Sequence, residues 1–77
     1  MQEKTSQIKI LLVHFEMNSS ITQNEALELY GIGRLGARIH DLRMLGYPIY
    51  TKYENGINRY GNPTRYARYY VNEYHVL

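Results

Sequence analysis

The sequence contains no cysteine, which excludes a disulfide framework and any thiolate metal site. No stretch approaches the roughly 20 consecutive apolar residues that cross a bilayer. The first residues, MQEKTSQ, are polar where a secretory leader is apolar. A soluble, cytoplasmic chain without a membrane partner is the expectation. Enzymatic chemistry is equally poorly furnished. His14, His40 and His75 lie far apart, with no metal-ligand spacing between them. Ser6, Ser19 and Ser20 fall at predicted helix ends, where capping accounts for them, and no carboxylate pair stands out. The chain is therefore expected not to be an enzyme and to carry neither metal nor cofactor. Its 77 residues make one domain, of a size that buries only roughly 60 % of its unfolded surface.

Net charge is low as well, at +2, but its distribution is uneven. Residues 1–33 carry a net −2. Residues 34–77 carry a net +4, from Arg34, Arg38, Arg43, Lys52, Arg59, Arg65 and Arg68 against Asp41, Glu54 and Glu73. A step of this sign points to a polyanionic partner on one face of the molecule.

The stretch around which the chain is organised is ITQNEALELYGIGRLGARIHDLRMLGYPI, residues 21–49. Thr22 followed by Glu25 is a capping box, in which the hydroxyl accepts from the amide of Glu25 and the carboxylate reaches back to the amide of Thr22. Ala26 and Leu29 give the helix it opens, about residues 23–30, one buried stripe. Gly31 and Gly33 break that helix. Leu35, Ile39 and Leu42 recur at helical spacing in a second helix, about 34–45. Gly46 stops it and Pro48 forbids its return. Two short helices across a glycine turn form a helix-turn-helix unit, a motif whose second helix can enter the major groove of DNA.

Upstream, residues 5–18 form a first helix capped by Thr5 or Ser6. Ile8, Leu11, Leu12 and Phe15 share one face, which Ile10, Val13 and Met17 widen until the helix is mostly core. Ile21 sits where a very short strand is expected. Downstream the period becomes extended, with strands at about 48–54 and 65–72. Asn55-Gly56 and Gly61-Asn62-Pro63 are turn signals, so the hairpin is expected to have a mobile loop of roughly ten residues carrying Arg59. Alternation puts Ala67, Tyr69 and Val71 on one face and Tyr66, Arg68 and Tyr70 on the other.

Opposite the buried stripe of helix 34–45 lie Gly36, Ala37, His40 and Met44, flanked by Arg34 and Asp41. The small residues permit close approach of the backbone. Arg34 is placed for a base edge or a phosphate, and arginine is the best single reader of guanine. His40 suits a base or phosphate. Arg38 lies at the edge of the stripe, with Asp41 three residues on as an ion-pair partner. Eight of the nine tyrosines follow residue 46 and Arg-Tyr occurs three times. That interleaving suits phosphate contacts and also stacking on unpaired bases, while Tyr47 and Tyr69 suit packing on the helices. Gly31-Ile32-Gly33-Arg34-Leu35-Gly36 matches the dinucleotide fingerprint, but it follows a capped helix rather than a strand and is set aside.

From Ile21-Thr22 through Glu25-Ala26, across Arg38-Ile39-His40-Asp41-Leu42-Arg43 and on to Leu45-Gly46-Tyr47-Pro48-Ile49, the chain resembles the winged helix-turn-helix domains of small phage-encoded proteins. The resemblance covers residues 8–71. It implies an α+β fold of order α1-β1-α2-α3-β2-β3, with a three-helix core, a brief strand at Ile21 and a two-stranded wing. It implies double-stranded DNA as partner and a role in transcription regulation. By position, Arg34, Ala37, Arg38 and His40 fall on the recognition helix and Arg59 in the wing. Lys52, Arg65 and Arg68 add positive charge to the same hairpin. A homodimer through the exposed, tyrosine-rich edge strand is compatible with this fold. The competing reading is a protein-interaction module that binds, and inhibits, a host or phage enzyme, since Tyr and Arg dominate interface hot spots.

Overall fold

The computed structural model describes residues 4–71. Its elements are α1 (Lys4–Met17), β1 (Ser20–Thr22), α2 (Gln23–Tyr30), α3 (Leu35–Met44), β2 (Ile49–Ile57) and β3 (Pro63–Val71). The strands form one antiparallel sheet of order β1-β3-β2. This is the expected element order. Asn72, assigned above to the last strand, and the tail with His75 lie outside the described residues.

The helix boundaries follow from local chemistry. The Thr22 hydroxyl accepts from the Glu25 amide at 3.2 Å, and a Glu25 carboxylate oxygen accepts from the Thr22 amide at 2.9 Å. Gly31, at φ +68°, ends α2 in a left-handed conformation that glycine adopts without a Cβ clash. Gly46, at φ +100°, ends α3. Its amide donates to the Arg43 carbonyl and that of Tyr47 to the Leu42 carbonyl, the bond pair of a Schellman motif. Thr5 and Ser6 do not cap α1, because the helix already includes Lys4.

Leu11, Ile21, Ala26, Ile32, Leu35, Ile39, Leu42 and Ile49 form the buried core. The α3 stripe is buried as expected. Leu29 is not: it is 61 % exposed. Ile32, in the turn after α2, is fully buried and takes the core position beside Ala26 that Leu29 was expected to fill. Val13 and Met17 are also exposed, because α1 is covered on one side only in a domain this thin. Its inner side also buries His14. The Ser20 carbonyl can only accept, so His14 donates to it from Nε2 at 2.9 Å, while Nδ1 meets the Tyr30 hydroxyl at 2.6 Å. One histidine thereby ties α1 to β1 and to the end of α2.

The hairpin departs most from expectation. Asn55-Gly56 is not a turn; it lies within β2, opposite Arg65 and Thr64. The connection is only Asn58–Asn62. There the Asn58 side-chain oxygen accepts from the amides of Tyr60 and Asn62, and Gly61 takes φ +81°. An asparagine that satisfies two loop amides outcompetes the Asn-Gly pair as a turn nucleus. Gly56 serves close approach instead, since a Cβ there would lie 3.1 Å from the Tyr66 ring. Ile21, Ile49, Tyr69 and Val71 are the strand residues that face or join the core, so Ala67, Tyr69 and Val71 share the helix-facing side as alternation required.

Candidate nucleic-acid interface

The turn between α2 and α3 decides how α3 is presented. Arg34, at the start of α3, makes no side-chain cap. The cap comes from α2 instead. Gln23 accepts from the Leu35 amide through Oε1 at 2.8 Å and donates from Nε2 to the Ile32 carbonyl at 2.8 Å. One side chain thus satisfies an orphan amide of α3 and pins both sides of the turn. Arg34 is relieved of capping and its side chain is exposed. At the other end, Arg43 donates to the Ile49 carbonyl and to the Thr51 hydroxyl, both at 2.9 Å, fixing α3 to β2. The dinucleotide-like glycine run occupies this helix-to-helix turn, with no strand before it.

The outer side of α3 presents Arg34, Gly36 and His40 to solvent, with Ala37 half-buried beside them. A groove of about 510 Å³ runs from Gln23, Asn24 and Gly36 to Gly56 and Asn58 near the wing tip. It follows the part of β3 beyond the reach of β1, which pairs only with Arg68, Tyr69 and Tyr70. Arg68 is the arginine that lines this groove; Arg34 precedes the lining residue Gly36 by two positions in the chain, and Arg59 follows the lining residue Asn58. Arg65 lies on the helix-facing side of the wing, its guanidinium 4.7 Å from the Tyr53 ring centroid. That stacking holds the charge in place while its outer face stays open. Arg34, Arg59 and Arg65 form no ion pair among the described residues.

The charges of Arg38 and Arg68 are spent within the chain, although Arg68 lines the groove. Arg38 lies 3.0 Å from Asp41 and is largely covered. The contact lacks hydrogen-bond geometry, as neither Arg38 Nε nor Asp41 Oδ2 has a hydrogen-bond partner, so it is a charge contact alone. Lys4 adds a second cation to Asp41 at 3.3 Å. Arg68 is engaged more fully: it donates to Glu54 at 2.9 Å and to Ser20 and Glu25 at 3.2 Å each. Its hydrogen bond holds the Glu54 carboxyl below its ordinary value, and Glu54 in turn raises the guanidinium. Lys52 is exposed beside Arg68 on that same reverse face, over the stacked rings of Tyr50 and Tyr70. Pairing register sends Arg65 to one face and Lys52 and Arg68 to the other.

Gln23 and His14 are the structural residues that sequence reasoning missed. Gln23 sits directly after the cap residue, yet its partners are nine and twelve residues away, beyond any local pattern. Among the described residues, no three His, Cys, Asp or Glu side chains are grouped to hold a metal ion, and no helix is long and apolar enough to cross a membrane.

The family model of a winged helix-turn-helix domain matches residues 6–74. No match is found among curated proteins or solved structures.

Proposed function

The chain belongs to the winged helix-turn-helix domain family, and on that premise we propose that it binds duplex DNA through α3 and the β2–β3 wing. The observation that carries the proposal is a set of three unpaired arginines: Arg34 ahead of α3, Arg59 at the wing tip and Arg65 on the helix-facing side of the wing, none spent on an internal ion pair among the described residues. A major groove about 12 Å wide admits a helix such as α3. Arg34 then reads a base edge, and Ala37 and His40 line the approach. Arg59 and Arg65 neutralise phosphates of the adjoining backbone or enter the minor groove. Lys52 adds to the field that draws DNA in, while Arg38 and Arg68 are neutralised by their carboxylate partners. The resemblance of the Arg38–Ile49 run to small phage-encoded domains supports a role as a phage-type transcription regulator in the cytoplasm of a bacterial host.

The roles separate in a binding-site selection followed by affinity measurements. Arg34→Ala is expected to relax base preference at one position, a loss of about 1–3 kcal/mol of discrimination. Arg59→Ala and Arg65→Ala are expected to weaken binding to every duplex alike, each lowering the salt slope by about 0.9 if one phosphate contact is lost. If all three variants select and bind as the parent does, DNA is held elsewhere, and the protein-interaction alternative takes precedence.

A further inference from the structure

The sheet order leaves the outer side of β2 without a strand partner among the described residues, and β2 is nine residues long. A long regular edge is a template for strand addition, and natural proteins normally blunt it with charge or proline. Here no proline falls inside β2, and the charges it carries are one lysine and one glutamate, Lys52 and Glu54.

The hydrogen bonds reveal which backbone groups face outward. The Ile49 amide donates to Tyr47 and its carbonyl accepts from Arg43, so neither is spent on β3. At the opposite end the Asn58 amide donates to the Asn62 carbonyl, in line with the strand pairing. Antiparallel alternation then assigns Tyr50, Lys52, Glu54 and Gly56 to the bonds with β3. Thr51, Tyr53, Asn55 and Ile57 point their amides and carbonyls to the open side.

We infer that this edge pairs with the β2 edge of a second copy of the chain, antiparallel, about a two-fold axis at Tyr53. In that register Tyr53 meets the partner's Tyr53 and Thr51 meets the partner's Asn55. Outward groups therefore meet outward groups, giving about six backbone hydrogen bonds over residues 51–55. Lys52 falls opposite the partner's Glu54, twice by symmetry. These are non-hydrogen-bonded positions, where Cα atoms come within about 4.5 Å and side chains interact most closely. Arg68 already occupies Glu54 Oε2, but a carboxylate has acceptor capacity for a further cation.

The register is also specified against its neighbours. A slip of two residues one way sets Lys52 against Lys52, and the other way sets Glu54 against Glu54; like charges directly opposite are destabilising. A slip of one residue turns the bonding groups away and reverses the faces. The same register sets Ile57, 76 % exposed in the single chain, against the partner's Ile49. The axis runs normal to the sheet, so both copies present α3 on the same side of one continuous sheet. The pairing uses an edge rather than the α3 face, and stands or falls independently of DNA binding.

Sedimentation equilibrium of the full chain without DNA tests this, with folding of each variant checked by circular dichroism. The parent is expected to dimerise reversibly. K52E and E54K each turn both cross-strand pairs into like-charge pairs and are expected to raise the dimer dissociation constant about tenfold or more. An equimolar mixture of the two is expected to regain dimer, since each chain then meets its opposite charge. A parent that stays monomeric into the millimolar range, variants that associate like the parent, or a mixture that stays monomeric would each overturn the inference. Should E54K unfold for want of its Arg68 pair, Y53P answers the same question. It removes an outward amide without touching the β3 ladder, and is expected to be a folded monomer; a folded Y53P dimer would contradict the pairing.

Discussion

Gln23 holds the Ile32 carbonyl and the Leu35 amide at once, so the start of α3 depends on a side chain from another helix. Gln23→Ala is expected to cost about 1–2 kcal/mol, the worth of a lost cap and an unsatisfied carbonyl. The urea unfolding midpoint reads this directly, and an unchanged midpoint would show that solvent replaces the clamp. Arg68 with Glu54 makes a second prediction at this scale. The folded Glu54 carboxyl titrates below its ordinary value of 4.5 because Arg68 bonds to its charged form. A carboxyl so depressed stabilises the fold above its unfolded value, and that contribution is lost as pH falls from about 4.5 through the folded value. Arg68→Met is therefore expected to be less sensitive to acid below pH 4.5 than the parent, in thermal unfolding followed across pH; parallel curves would contradict the assignment. The capping box and the Arg38–Asp41 pair were legible in the sequence because their members lie three residues apart. The Gln23 clamp, the His14 bonds to Tyr30 and Ser20, and the Arg68 pairs were not, because their partners meet only when the fold closes.

At the scale of the element, the helices were legible and the hairpin was misjudged for a reason that can be tested. The Leu35, Ile39 and Leu42 stripe and the Gly46 stop each carry a local cause. The wing turn had two competing signals, Asn55-Gly56 and the tract ending at Pro63, and the one that won is built by Asn58. Asn58→Ala is expected to destabilise the domain by about 1 kcal/mol, through two loop amides left without their acceptor. Asn55→Ala, exposed within a strand, is expected to stay within about 0.5 kcal/mol of the parent. Comparable losses at both positions would mean that the shorter turn does not govern the hairpin. Gly46→Ala forces a Cβ into φ +100° and is expected to cost at least about 1 kcal/mol. The exposure of Leu29, Val13 and Met17 shows the limit of periodicity here: it locates an apolar side of a helix, but not how much of that side a thin domain has material to cover.

Across the whole molecule, net charge of +2 understates the local field. The acidic residues Glu25, Asp41 and Glu54 are tied to Lys4, Arg38 and Arg68. The arginines left without an ion pair among the described residues and without a side-chain hydrogen bond there are Arg34, Arg59 and Arg65. The architecture was legible through family resemblance, since the motif order fixes the topology. The opposite facing of Arg65 and Arg68 was legible in the alternation along β3, but the side taken by Lys52 was not, since the pairing of β2 with β3 depends on where the turn falls. The most direct test of the central claim is titration of the pure, full chain with a labelled random-sequence duplex, by fluorescence anisotropy, at several salt concentrations. Binding with a dissociation constant of about 10⁻⁴–10⁻⁶ M that weakens steeply as salt rises is expected of a phosphate-tracking face. Absence of binding even at low salt would contradict duplex DNA as the ligand.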